Sequence, residues 1–239
     1  MNDLPGKQIK NFNSLFPVFF KLEKLNLLIV GGGYVALEKL TAVFNNSPQA
    51  KVNLVATQVS DDIKKILNEK EVSFTELEFD ESHLTGIDLV IIAINDQATS
   101  EAIYHVCKKN KILTNVADKP ELCDFYLSSV VQKGNLKIAI STNGKSPTIA
   151  KRVKEVLNDT FPEEMDKVLD NMEAIRNRLK GDFSDKVKQL NNITKVLAAG
   201  RSTKPYFGTK GVKVLAYTIA ALGLMLFGHF VLSLIDLHL

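Results

Sequence analysis

The stretch "LNLLIVGGGYVALEKL", Leu25 to Leu40, decides how the rest of the chain is read. An unbroken apolar run with strand character passes straight into three glycines, and apolar residues then recur at three-to-four spacing, the period of a helix. Strand, glycine turn and helix in that order leave the amide groups of a helix N-terminus facing a turn with no side-chain bulk. An anion fits such a place.

Within the turn the pattern is Gly31-x-Gly33-x-x-Ala36. Gly31 permits the tight turn, Gly33 lets a pyrophosphate approach the backbone, and the small Ala36 lets the helix pack closely on the sheet. The expected cofactor contacts are Gly31, Gly32, Gly33, Tyr34 and Val35. The second strand ends "NLVATQVS", with no Asp or Glu where an acid usually holds the adenosine ribose and no arginine to meet a 2′-phosphate. Asp61 and Asp62 come too late, so Thr57 and Gln58 are the expected ribose-edge contacts and the choice between NAD and NADP stays open. After the fourth strand, Asn95 and Asp96 either cap the next helix or reach the nicotinamide.

Working outward, strand patterns recur at "KVNLVA" from Lys51, "VSFTEL" from Val72, "DLVIIAI" from Asp88 and "KILTNVA" from Lys111, with amphipathic helices at "VALEKLTAVFNN" and "SEAIYHVCKKN". Apolar strands separated by helices predict a parallel sheet covered on both faces, a doubly wound, Rossmann-like α/β domain over residues 15–118. The rhythm then changes. A hairpin around Lys133-Gly134-Asn135 and a helix opened by Ser146 and Pro147 occupy 119–160, and charged helices broken near Gly181-Asp182 occupy 161–200. Residues 201–213 read as a linker, and 214–235, "VLAYTIAALGLMLFGHFVLSLI", as one transmembrane helix, long enough at about 1.5 Å per residue to cross roughly 30 Å of hydrocarbon. Arg201, Lys204, Lys210 and Lys213 precede that span, which predicts a cytoplasmic body anchored to the inner face of the membrane.

Composition narrows the function. The net charge of +3 is spread over scattered lysines, which argues against nucleic acid and suits a small anionic ligand. Cys107 and Cys123 form no CxxC pair, and His83 and His105 have no partner at metal-ligand spacing, so no metal site is expected. The N-terminus, broken by Pro5 and Gly6, has no export signal. At the tip of the fifth strand Asp118 is the one carboxylate before the chain leaves for its second part, either as a turn residue or as a group facing the cofactor crevice. Ser141, Thr142, Asn143, Gly144 and Lys145 form a polar loop running into a helix N-terminus, to which Lys119, Lys151 and Arg152 add positive charge.

Three segments, "LFPVFFKLEKLNLLIVGGGYVALEK", "NVADKPELCDFYLSSVV" and "LKIAISTNGKSPTIAKRVKE", resemble in order and spacing the precorrin-2 dehydrogenase family, the N-terminal module of siroheme synthases. The resemblance covers about Leu15 to Ala199 and departs from the family pattern at Glu38, where an arginine is usual. It implies NAD-dependent oxidation of precorrin-2 to sirohydrochlorin, with a second activity in some members, insertion of ferrous iron. It also implies a homodimer built through the middle segment. The family's active-site aspartate falls on Asp118, as general base or proton shuttle, and the loop Ser141–Lys145 would meet the carboxylates of the tetrapyrrole. An alternative of another class is a membrane-tethered regulatory module that binds NAD without catalysis, against which the hairpin and the polar loop both argue.

Overall fold

The computed structural model describes residues 13–199. Strands β1 (Asn26–Val30), β2 (Lys51–Ala56), β3 (Phe74–Glu76), β4 (Leu89–Ile92) and β5 (Leu113–Val116) form one sheet in the order β3-β2-β1-β4-β5. All its pairings are parallel; Val30 lies opposite Val55 on one side and Ile92 on the other. Because successive side chains of a strand face opposite ways, a strand covered on both faces must be apolar throughout, as β1 is. Leu27 and Ile29 pack with α1 (Tyr34–Asn46) and α2 (Asp61–Glu69), whereas Leu28 and Val30 pack with α3 (Gln97–Lys109). Leu40 and Ile63 are completely enclosed, and burial of such a side chain contributes about 1.5–3 kcal/mol.

The doubly wound domain is therefore observed, with local differences. The strands predicted from Val72 and Lys111 begin later and are shorter, since Glu71 and Lys111 turn the chain through left-handed conformations, φ 56° and 58°. The crossover from β3 to β4 is a 3-10 turn, Glu81–Leu84, capped by Asp80.

Beyond the sheet, β6 (Ser129–Lys133) and β7 (Leu136–Ile140) form the expected hairpin, and Gly134, φ 58°, takes the first turn position that a II′ loop reserves for glycine. Asp166 at the start of α5 (Met165–Arg178) accepts the Asn135 backbone N–H at 2.6 Å, and Lys133 pairs with Glu163. The Lys137 ammonium donates to the Asn46 carbonyl at the C-terminal end of α1, which ties the hairpin to the doubly wound domain. The helix α4 (Pro147–Thr160) packs on β6 and β7, and Ser146 Oγ accepts the Ile149 N–H at 3.2 Å as its N-cap.

The described chain divides between Leu169 and Asp170 into two compact units. In the second, Gly181 breaks the helical run with φ 106°, and Asp182 caps α6 (Phe183–Ala199) by accepting the Asp185 N–H at 2.9 Å.

One expectation is corrected. Among the described residues no helix is long and apolar enough to cross a membrane. Even α6, at 17 residues, is short of the roughly 20 apolar residues a span requires, and it carries lysines and an aspartate. The span predicted over 214–235 lies outside the described residues. The described residues therefore give no support to a transmembrane element, to a membrane anchor or to a placement of the body at an inner membrane face.

Candidate nucleotide and catalytic site

The strand order reverses between β1 and β4, and a parallel sheet opens a crevice at the carboxyl ends of its strands there. A cleft of about 970 Å³ occupies that place, walled by the ends of β1, β2 and β4, the first residues of α1 and one side of α3. The three glycines that form its floor stand in different surroundings. A Cβ on Gly31, where φ is 129°, would stand 2.3 Å from the Ala93 carbonyl oxygen, and one on Gly32 would stand 2.0 Å from that of Gln58. At Gly33 the same atom would meet nothing within 4 Å. The protein itself therefore does not need a glycine at 33; the open space belongs to the cleft. Gly33 is also the N-cap of α1, contributes no side-chain cap, and is followed by a first turn without an acidic residue. Orphan amides with no competing carboxylate suit a pyrophosphate. Ala36 is fully buried against the sheet and Tyr34 stands exposed at the rim, while Val35 lines the cleft.

On the β2 side Thr57 and Gln58 line the cleft. Their loop is strapped down, because the Ser60 N–H donates to the Gly32 carbonyl at 3.0 Å and the Val59 N–H to Glu76 at 3.0 Å. Glu76 also pairs with Lys64 at 2.9 Å, and the Val59 and Lys64 contacts hold its carboxyl below the usual carboxylate range. Beyond β3 the segment Glu78, Phe79, Asp80 and Glu81 forms a further wall that sequence reading missed. The signal is the acidic run "ELEFDE", which starts at the last residue of β3 and supplies carboxylates where the end of β2 has none. Asp80 accepts the Ser82 N–H at 2.8 Å, which lowers its pKa, and Glu81 accepts from Asn110 at 3.0 Å with the same effect.

On the β4 side Asn95 lines the cleft, while Asp96 is the cap, accepting the Thr99 N–H at 2.7 Å and lying low in pKa for that reason. Of the two residues left open by the sequence, Asp96 is thus the helix cap.

Asp118 does not line this cleft. It is exposed on the turn after β5 and adopts φ 60°, a left-handed conformation that costs a residue other than glycine. Side chains close the base of this turn. Cys123 Sγ accepts the Val116 N–H at 3.3 Å and donates towards the Val116 and Lys119 carbonyls at 3.2 Å. Asn115 Nδ2 donates to the Phe125 carbonyl at 2.8 Å, and Asp124 accepts the Thr114 N–H at 2.9 Å and pairs with Lys108 at 2.6 Å. Burial pushes both the Cys107 and the Cys123 thiols up, which disfavours the reactive thiolate. Lys119, next to Asp118, turns back to Glu101 of α3 at 3.3 Å, the helix that also walls the cleft.

The polar loop meets the turn from the other side. A Cβ on Gly144 would lie 3.9 Å from Pro120 Cγ, so Asp118-Lys119-Pro120 and Ser141–Lys145 are neighbours although far apart in sequence. Asn143 and Gly144, φ 54° and 73°, with the Lys145 N–H donating to the Thr142 carbonyl at 3.1 Å, form a tight turn of I′ type. Ser141 Oγ accepts the Asn143 N–H, and Thr142 Oγ1 accepts the Ser146 N–H, both at 3.1 Å. Arg152 is paired with Glu155 and Lys119 with Glu101; Lys145 and Lys151 carry no ion pair among the described residues. No group of three His, Cys, Asp or Glu among the described residues could hold a metal ion.

Comparison with known proteins agrees with this geometry. Residues 18–129 match the family model described as putative NAD(P)-binding, and 133–159 match that of the sirohaem biosynthesis protein central region. The chain is 32% identical over 173 residues to a siroheme synthase of a Psychrobacter species, covering 72% of this chain and 34% of that protein. It is 30% identical over 168 residues to the siroheme synthase of Vesicomyosocius okutanii, covering 70% and 36%. The chain thus spans about a third of the length of the curated relatives it matches. Among solved structures, SirC, a precorrin-2 dehydrogenase, aligns with a TM-score of 0.61 at 26% identity, over 75% of this chain and 89% of its own. A nicotinamide dinucleotide is the cofactor that the glycine turn, the open space at Gly33 and the matched model all fit. The chain belongs to the family of NAD(P)-binding siroheme-biosynthesis proteins that includes the precorrin-2 dehydrogenases and the N-terminal module of the siroheme synthases.

Proposed function

We propose that this chain is an NAD-dependent precorrin-2 dehydrogenase, which removes two electrons and two protons' worth of hydrogen from the macrocycle as a hydride and a proton, to give sirohydrochlorin, NADH and H⁺. The observation that carries the reading is the adjacency of three features: the dinucleotide cleft, the strained Asp118 turn joined to its wall through Lys119 and Glu101, and the Ser141–Lys145 loop against Pro120. Bound NAD supplies the hydride acceptor. Asp118, exposed and fixed in place by the Cys123 and Asn115 hydrogen bonds behind it, is the general base that takes the proton. Ser141, Thr142, Asn143, Gly144 and Lys145 orient the substrate, because a polycarboxylate needs amide, hydroxyl and ammonium donors, and Lys145 carries no ion pair among the described residues. Gly31, Gly32, Gly33, Tyr34 and Val35 bind the pyrophosphate, with Thr57, Gln58 and Asn95 at the two ends of the cleft.

NAD is favoured over NADP because the cleft is walled by Glu78, Asp80 and Glu81 and by no Lys, Arg or His. A 2′-phosphate would add negative charge beside carboxylates without a cation to meet it. The active form in this reading is a homodimer: Ile149, Val153 and Val156 stand exposed along one side of α4, at the spacing of a helix face that a second copy would cover. Residues 15–118 then serve as the dinucleotide domain, 119–160 as the dimerisation region and 161–200 as a helical region; the linker expected over 201–213 lies outside the described residues.

Incubation with precorrin-2 under anaerobic conditions tests the reading. Appearance of NADH together with sirohydrochlorin absorption supports it, with Asp118→Asn inactive and NADP a poor substitute. Ferrous iron added afterwards tests the second activity seen in the name siroheme synthase. Nucleotide binding without turnover would sink the dehydrogenase reading in favour of a nucleotide sensor.

A further inference from the structure

In nucleotide folds of this type the acid that holds the adenosine ribose sits at the end of β2. Here β2 ends in Ala56, followed by Thr57 and Gln58, yet the same side of the cleft is walled by the acidic segment after β3. Its carboxylates are not equivalent. Glu76 is held by the Val59 N–H and Lys64 and does not reach the cleft; Asp80 caps the Ser82 N–H; Glu81 is occupied by Asn110 and Lys109. Glu78 lines the cleft, is exposed, and makes no hydrogen bond or ion pair among the described residues.

We infer that Glu78 is the ribose-binding acid of this protein, transposed from β2 to β3, and that it sets the preference for a nucleotide with a free 2′-hydroxyl. An ionised carboxylate accepts hydrogen bonds from ribose hydroxyls and repels a 2′-phosphate in the same position, so one group provides both affinity and discrimination. Asp80 and Glu81 reinforce the repulsion, but one carboxylate oxygen of each is already engaged in the fold. Glu76 contributes indirectly, since its bond to the Val59 N–H holds the Thr57–Gln58 loop beside the same pocket. The inference rests on the dinucleotide reading of the cleft and adds the residue that selects the cofactor.

Direct titration of the full chain with NAD, NADP and 2′-deoxy-NAD, without tetrapyrrole, tests it. The parent is expected to bind NAD best. Glu78→Gln should lose about tenfold in NAD affinity, the worth of a charge-assisted hydrogen bond, and should no longer distinguish NAD from 2′-deoxy-NAD. Glu78→Lys should swing the NADP-to-NAD preference towards NADP by about tenfold or more, since a repulsive charge becomes an attractive one. Because Glu78 is exposed and unpaired, both variants should melt with the parent. Affinities for all three nucleotides unchanged in both variants would overturn the role of Glu78 while leaving the cleft as the nucleotide site. A parent that binds none of them would overturn the dinucleotide reading itself.

Discussion

Gly31 and Gly33 are two positions apart and do different work. A methyl group at Gly31 collides with the Ala93 carbonyl in a conformation that L-residues rarely adopt, so Gly31→Ala should cost about 2 kcal/mol or more of stability. At Gly33, φ −97° and ψ −162° suit any residue and the added atom has room; Gly33→Ala should cost under about 1 kcal/mol, mainly as a poorer N-cap, yet weaken nucleotide binding by filling the space a pyrophosphate needs. Thermal melts alongside NAD titration separate the two, and equal losses of stability would contradict the distinction. The motif was legible because its spacing is local. The reason for each glycine was not, since Ala93 and Gln58 reach the turn from elsewhere in the chain. Asp118 is similar: its place at the tip of the fifth strand could be read, but its left-handed backbone and the Cys123 hydrogen bonds beneath it could not. Asp118→Gly removes that backbone cost and should raise stability by up to about 1 kcal/mol; a melt showing a loss instead would mean that the turn is not strained.

Among the elements, β1 and α1 followed directly from sequence because a doubly covered strand must be apolar and a surface helix must alternate. The helix α2 does not stand out in the sequence, although Ile63 and Leu67 bury one side of it and Asp61 and Asp62 occupy its first turn. Its polar face outweighs its apolar stripe in a linear reading. The edge strand β3 was read as longer because its residues favour strands, whereas Glu71 and the outgoing acidic segment limit it. That segment is held by carboxylates: Glu76 at the β2–α2 loop and Asp80 at the 3-10 turn both have folded-state pKa values below their reference values of 4.5 and 3.8. A depressed pKa gives stability that is present above the unfolded value and lost as the pH falls through the folded one. Stability should therefore decline as the pH drops below about 4.5, and Glu76→Gln should make that decline shallower. Denaturant midpoints across that range test this; parallel curves for parent and variant would contradict it.

For the whole molecule two features matter: the hairpin and α4 bring the Ser141–Lys145 loop to the Asp118 turn, and Ile149, Val153 and Val156 leave an apolar face of α4 exposed. The first joins segments that touch only through the fold and cannot be read from either segment alone; the second bears on the homodimer that only the resemblance implied. If α4 forms the dimer, Val153→Glu places a charge in the interface and should shift light scattering from dimer to monomer, and a parent already monomeric would refute the dimer. The central claim is that nucleotide binding and proton removal are done by separate, adjoining groups. Asp118→Gly, compared with the parent for NAD affinity and for NADH formed from precorrin-2 under anaerobic conditions, tests it most directly. The account predicts parental NAD binding with NADH formation abolished. A variant that binds NAD and still produces NADH at the parental rate would show that the proton leaves by another route and that Asp118 is only a turn residue.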